Sequence, residues 1–385
     1  MRRLLLLVGA LVFVDTIFYS ALTPLLPDYA EELGLSKAGV GVLAAAYPLG
    51  ALVGAIPGGV VAARVGVKPA VLLGLAGMSV TTLTFGLADN VLVLDAARAL
   101  QGVSSSFTWT AGLAWLVAAA PVERRGELIG LAMASAIGGA LLGPVLGGVA
   151  AVVGTGWAFG GVTVLGSALA LWAWHTPAPA PRAPQPLRLL ATTARDPRIV
   201  VGVWLVALPA LLFGVLNVLA PLRLDELGHG PVAISATFLA TAAAEAVMSP
   251  LIGRLSDRRG RLLPLRAGLV ASAAAAALLP WPDERWVLSA AVVAAAIAFG
   301  TFWSPALSFL ADTAEELGLE HAYAFALVTL AWAPGAAVGA AVGGTVAEAT
   351  TDAVPYLVLA VACVATFVLL GRLRPAPAVA SPETT

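Results

Sequence analysis

Charge is what this sequence has least of. Its 21 Lys and Arg and 22 Asp and Glu make up only 11% of 385 residues. With 60% hydrophobic residues and a mean hydropathy of +0.94, a water-soluble globular domain is excluded. Cysteine is nearly absent: Cys363, in the last apolar run, rules out an intramolecular disulfide and leaves the redox compartment open. The three histidines, His175, His229 and His321, are scattered at helix ends without a cysteine partner, so no metal site is expected. No G-x-x-x-x-G-K-[ST] loop is present, which argues against ATP-driven pumping by this chain. Nothing resembles a set of nucleophile, base and orienting residue, so neither an enzyme nor a cofactor is expected, and no nucleic-acid partner either.

What remains is apolar sequence in long runs. At about 20 residues per membrane crossing, the runs read as helices over 4–26, 38–62, 70–88, 91–119, 128–153, 157–175, 199–223, 233–253, 264–280, 286–311, 321–347 and 352–372. Arg2 and Arg3 ahead of a leucine run could pass for a secretory signal. The run continues past Asp15 to Leu26 without a small-residue cleavage site, so it is read as a retained first helix. The expected fold is an all-α membrane protein of twelve transmembrane helices. Thr176 to Arg198, rich in Pro and Ala, is the only long connector, giving an N-terminal half over 1–175, a linker over 176–198 and a C-terminal half over 199–374. Residues 375–385 read as a disordered tail.

The two halves repeat each other. Glu32-Leu33-Gly34 leads after 25 residues to Gly59, and Glu226-Leu227-Gly228 leads after 25 residues to Gly253; Arg64 and Gly66 are then answered by Arg258 and Gly260. A constant offset of 194 residues argues for two pseudo-symmetric six-helix halves around a central cavity. Basic residues set the orientation. With both termini in the cytoplasm, 17 of the 21 Lys and Arg lie inside; Lys37, Arg223 and Arg285 lie outside, and Arg98 falls within the membrane.

Three motifs carry a family resemblance. In the fifth helix, Gly139, Gly143, Pro144, Gly147 and Gly148 form G-x-x-x-G-P-x-x-G-G. Such a stretch is costly in a soluble helix but is tolerated in lipid, where small residues let backbones approach. The turn after helix eight, Gly253-Arg254-Leu255-Ser256-Asp257-Arg258-Arg259-Gly260-Arg261, reads G-x-L-a-D-r-x-G-r. Helix four carries Arg98-Ala-Leu-Gln101-Gly102. Together these resemble the drug:proton antiporter branch of the major facilitator superfamily, which includes multidrug exporters and vesicular amine transporters. The resemblance implies the major facilitator fold, a small-molecule substrate exchanged against protons, and a multi-pass protein of the plasma (inner cell) membrane, expected to be monomeric. The counterpart turn after helix two, from Gly59 through Arg64 and Gly66 to Lys68, departs from the pattern because Ala63 stands at the acidic position.

Arg98, Gln101, Ser105 and Thr108 or Trp109 recur at helical spacing and share one face. A cation in the membrane is costly, about 2.5–3.5 kcal/mol at the helix centre on insertion scales, so Arg98 must face a wet cavity or a partner. Asp95, one turn earlier, is the nearest partner by sequence, leaving either an ion pair or proton-linked gating open. Asp15 lies about a dozen residues from the basic end of helix one. A bare carboxylate in hydrocarbon is penalised, and by the resemblance this position contacts a cationic substrate or exchanges protons. Tyr19 follows one turn later. In helix eight Thr237, Thr241, Glu245 and Ser249 stand four residues apart, a stripe suited to a cavity wall, with Glu245 a second candidate for proton exchange.

Amine transporters carry further acidic residues in helices ten and eleven, where this chain is neutral or aromatic around Trp303 and Thr329. Specific monoamine recognition is therefore not expected. Tyr47, Trp109, Trp303 and Trp332, with Asn217, could wall a site for hydrophobic or cationic compounds through dispersion and cation-π contact. Export of sugars or other neutral metabolites, or a non-transporting sensor role, are the alternatives this sequence leaves.

Overall fold

The computed structural model describes residues 1–121, 124–180, 187–260, 262–319 and 321–372; the predicted tail lies outside them. The chain is helical from end to end: α1 Arg2–Ser20, a 3-10 turn Thr23–Leu25, α2 Leu26–Leu33, α3 Lys37–Arg64, α4 Val67–Leu87, α5 Val91–Ala119, α6 Arg125–Val153 and α7 Thr155–His175. There follow α8 Leu187–Thr193, α9 Pro197–Glu226, α10 Pro231–Arg259, α11 Leu262–Leu278, α12 Arg285–Glu316, α13 His321–Ala349 and α14 Ala353–Arg372.

Ten helical stretches among the described residues are long and apolar enough to cross a membrane. Two of the predicted twelve fall outside that set. Helix α11 has only 17 residues, and α5 is long enough at 29 residues but carries Asp95, Arg98, Gln101 and three serines in succession. Both pack within the bundle like the others. The connector contains the short helix α8, and the helix read over 286–311 extends to Glu316 in α12.

Packing repeats between the halves. In the first, α1 packs on α6, α3 on α5, and α4 on α5 and α7; in the second, α9 packs on α13, α10 on α12, and α11 on α12 and α14. These are the same pairs one repeat later. The halves meet through α3 against α13 and α6 against α10, again exchanged counterparts. The backbone repeats too. Gly34 and Gly228 take φ of 62° and 86°, and Gly66 and Gly260 take 122° and 79°. Only glycine adopts these angles without strain, so both pairs, 194 residues apart, fix the same turns. Arg64 and Arg258 are exposed in the last turns of their helices just before the second pair, while Gly59 and Gly253 lie inside α3 and α10. The side chain of Asp257 lies outside the described residues.

Small residues set the closest approaches. A methyl group added at Gly50 would collide with the Ala99 backbone, and one at Gly102 with the Tyr47 carbonyl and, at 2.7 Å, the Ala51 amide. Neither obstacle is a side chain that can swing away. Gly102→Ala is therefore expected to destabilise the protein by about 2–3 kcal/mol through overpacking, read as a lower thermal-unfolding midpoint in detergent, whereas alanine at Gly130, where nothing lies within 4 Å, should leave it unchanged. The antiporter-motif glycines act similarly. Gly139 and Gly143 face the backbone and small side chains of α1 and Gly147 faces Ala21 and Pro24 just beyond it, while Gly148 faces Ser235 of α10 across the interface between halves. Pro144 is buried within α6.

Candidate transport site

The site forms where α1 stops being a helix. Helix α1 ends at Ser20, before the 3-10 turn begins. The carbonyls of Phe18 and Tyr19, whose partners four residues on lie beyond that end, are left out of the helical ladder. A freed carbonyl deep in a membrane protein needs another donor. Arg98 of α5 supplies it: Nη1 donates to Phe18 O at 3.1 Å and Nη2 to Tyr19 O at 2.7 Å. Nη1 also donates to Gln101 Oε1 at 3.1 Å, and the guanidinium lies 4.9 Å from the Tyr47 ring centroid. Arg98 is only 2% exposed. The Arg98–Asp95 ion pair left open by the sequence is not made; Asp95 Oδ1 has no hydrogen-bond partner among the described residues. A buried cation is thus held by carbonyl dipoles and an aromatic face.

One turn before the break, Asp15 is 5% exposed. Three side chains from two other helices converge on its Oδ2: Tyr47 Oη of α3 donates at 3.0 Å, Ser105 Oγ of α5 at 2.9 Å and Trp109 Nε1 of α5 at 2.6 Å. Donors to an ionised acceptor are about twice as strong as neutral pairs. Tyr19 stacks on Tyr47 with centroids 5.1 Å apart, and Trp332 of α13 meets Tyr19 edge-on at 5.5 Å. The aromatic layer therefore joins both halves directly beside the carboxyl. Adjoining this layer, a narrow crevice of about 30 Å³ opens between α1, α3, α9 and α13, lined among others by Tyr19, Pro48, Arg98 and Asn217.

Other expected site residues lie apart from this cluster. Thr237 Oγ1 donates to Ser289 Oγ of α12 at 3.1 Å, and Thr241 Oγ1 donates to the Thr237 carbonyl. At that end the helix-eight stripe is turned to α12. Glu245 stands opposite Gly300 of α12, whose missing side chain leaves room for the carboxyl, and it makes no hydrogen bond or ion pair with the described residues. Trp303 is half-buried and packs on the core.

Near the loops that join α2 to α3 and α13 to α14 the two halves are pinned. Lys37 Nζ donates to both Asp352 oxygens at 2.7 and 2.9 Å and lies 3.7 Å from Glu226 Oε1; the Ala38 amide donates to Glu348. Gly41 and Gly344 allow α3 and α13 to touch backbone to backbone there. Partly exposed pairs contribute up to about 1 kcal/mol, so Lys37→Ala is expected to shift the equilibrium about fivefold towards separation of this end. Spin labels at Glu32 and Thr350 would read it as a larger population at long distance; an unchanged distribution would assign the closure to helix packing alone.

The helical order, the repeated pairing and a buried carboxyl beside an interface cavity define a polytopic transporter. The chain belongs to the Major Facilitator Superfamily, whose sequence profile matches residues 8–318 and 204–385. Among curated proteins it is similar to "Probable vesicular acetylcholine transporter-B" of Danio rerio, 35% identical over 158 residues, 38% of this chain and 32% of that one. It is also similar to Multidrug resistance protein 2 of Bacillus subtilis, 29% identical over 36% of this chain and 34% of that protein, and to Quinolone resistance protein NorA of Staphylococcus aureus, 28% identical over 37% of each. The matched stretch spans about a third of each relative, and this set agrees with the drug:proton antiporter branch that the motifs resemble. Among solved structures, a bacterial homologue of the human lysosomal transporter Spinster, in an inward-facing and unoccupied conformation, superimposes with a TM-score of 0.74 at 18% identity, over 96% of this chain and 94% of that one. A POT family transporter in complex with 5-aminolevulinic acid gives 0.77 at 12%, over 95% of each. At such identity these likenesses establish the fold alone.

Proposed function

We propose that this protein exports hydrophobic or cationic small molecules in exchange for protons, by alternating access of a site between its halves, from a plasma membrane with both termini in the cytoplasm. The observation that carries this reading is Asp15: a buried carboxyl with no cation in contact, hydrogen-bonded by neutral donors alone and with Arg98 acting on it from farther away, beside aromatic rings from both halves. Such a carboxyl can be neutralised by a proton or by a cationic ligand, and competition between the two couples their movements. Tyr19, Tyr47 and Trp332 offer flat π faces to the departing compound. The pinned end around Lys37 is the gate that must part in the alternate state. Each proton moving down 100 mV supplies about 2.3 kcal/mol, roughly a fifty-fold gradient.

The test is gradient-driven movement of lipophilic fluorescent cations in proteoliposomes holding the purified protein. Accumulation that appears with an imposed proton gradient and collapses with a protonophore supports export by antiport. No movement of any cation, with saturable binding of neutral sugars instead, would replace it with export of neutral metabolites.

A further inference from the structure

Asp15 has a second side. Its Oδ2 accepts all three donors from Tyr47, Ser105 and Trp109, whereas Oδ1 is buried with no hydrogen-bond partner among the described residues. Asp15 also lines a separate small cavity between α1, α4, α5 and α7, with about 10 Å³ of room for a water centre, walled by Leu11, Leu75 and Met78 and bearing the polar side chains of Ser79, Thr82 and Thr108. Ser79 is 9% and Thr82 1% exposed, and their hydroxyl oxygens are likewise buried without partners. The residues that carry three of the ten such atoms among the described residues therefore line one cavity. An unpaired buried polar group costs about 1–3 kcal/mol, and three together are hard to sustain in a dry space.

Resting on the export reading above, we infer that this chamber is hydrated, that its water bridges Asp15 Oδ1 to the hydroxyls of Ser79 and Thr82, and that the Asp15 proton is exchanged through it. A buried water needs two to four polar partners and about 10–15 Å³ of free space for its centre; the cavity has room for about one, and the three orphaned oxygens supply those partners. A carboxylate oxygen has about two lone-pair sites. Oδ2, with three donors, has none left for a proton, so the proton resides on Oδ1. When it leaves, the O–H bond on Oδ1 breaks and the proton passes to the adjoining water, while the aromatic face stays free for the exported compound. The charged or titratable groups that act on Asp15 from elements packed on α1 are Tyr47 of α3 and Arg98 of α5; α4 and α7 present to the chamber only hydroxyl, thioether and aliphatic groups and a glycine.

Met78, 5% exposed and in the chamber wall, is a built-in reporter. Radiolytic hydroxyl-radical labelling of the full chain in nanodiscs oxidises side chains beside bound water, whatever their access to bulk. Prompt oxidation of Met78 is expected in the native protein, falling about tenfold in Ser79→Ala/Thr82→Val, where the bridging partners are gone, with half-buried Met133 unchanged. Silence at Met78 in the native protein, or equal labelling in both, would overturn the hydrated chamber. Sodium-dependent thermal stabilisation that the double variant loses would put a sodium ion there and overturn it as well. Stopped-flow release of protons on mixing with a lipophilic cation should slow about tenfold in the double variant, about 1.4 kcal/mol; equally fast release would overturn the route while leaving the water. Labelling requires no transport, so failure of the export reading and failure of the chamber give separate results.

Discussion

Replacing Asp15 with asparagine should collapse gradient-driven accumulation of substrate, from roughly fifty-fold per 100 mV to near unity, while downhill movement persists and the protein stays folded. The amide oxygen can still accept from Tyr47, Ser105 and Trp109, the donors that meet Oδ2 in the native site. What asparagine cannot do is bind and lose a proton. Charge-assisted hydrogen bonds contribute about 1.5–3 kcal/mol and neutral ones about 0.5–1.5, so some stability is lost. Leucine at the same position is expected to behave differently. It would leave three buried donors unpaired, at about 1–3 kcal/mol each, and abolish folding along with transport. Comparing flux and thermal midpoint for the two variants separates the chemical role of the carboxyl from its structural one; an asparagine variant that still accumulates substrate would remove Asp15 from the coupling.

Arg98→Met is the second large effect expected. Removing one side of a buried charge arrangement costs about 3–5 kcal/mol, and here the loss strips the Phe18 and Tyr19 carbonyls of donors in the segment where α1 breaks. Arg98→Lys should recover only part of it. A lysine ammonium keeps the charge but lacks the planar fork that reaches two carbonyls at once and lies over a ring, as Arg98 does over Tyr47. Hydrogen exchange should report the damage locally, as faster exchange of amides between Tyr19 and Leu26 in Arg98→Met, intermediate in Arg98→Lys and native in Asp15→Asn. Uniformly faster exchange across the bundle would instead make Arg98 a general packing residue.

Much of this architecture is legible in the order of residues. Repeat spacing alone pairs Gly34 with Gly228 and Gly66 with Gly260, and the backbone puts each pair in the left-handed region, because a tight turn between membrane helices requires glycine at the same register in both halves. The shared helical face of Arg98, Gln101 and Ser105 is equally plain from spacing, which leaves Thr108 or Trp109 to continue it; of the two it is Trp109 that reaches Asp15. Other features depend on contacts that periodicity does not encode. The acceptors for Arg98 are main-chain carbonyls of another helix, and backbone atoms leave no trace in side-chain pattern. Ser79 and Thr82 in α4 look like ordinary small polar residues of a membrane helix, and only the packing of α4 on α5 and α7 turns them towards Asp15. The stripe from Thr237 to Glu245 is a regular helical face, but periodicity cannot say which neighbour it meets; its upper end meets Ser289 of α12.

The central claim is that proton and substrate compete for Asp15, and proton release on binding tests it most directly. Purified protein in weakly buffered detergent, mixed with a lipophilic cation in the presence of a pH-sensitive dye, should release protons saturably with the same concentration dependence as binding. Asp15→Asn should release none, while Glu245→Gln should release as the native protein does. Equal release from the native protein and Asp15→Asn, with loss in Glu245→Gln, would contradict the account and move the coupled proton to the second half of the molecule.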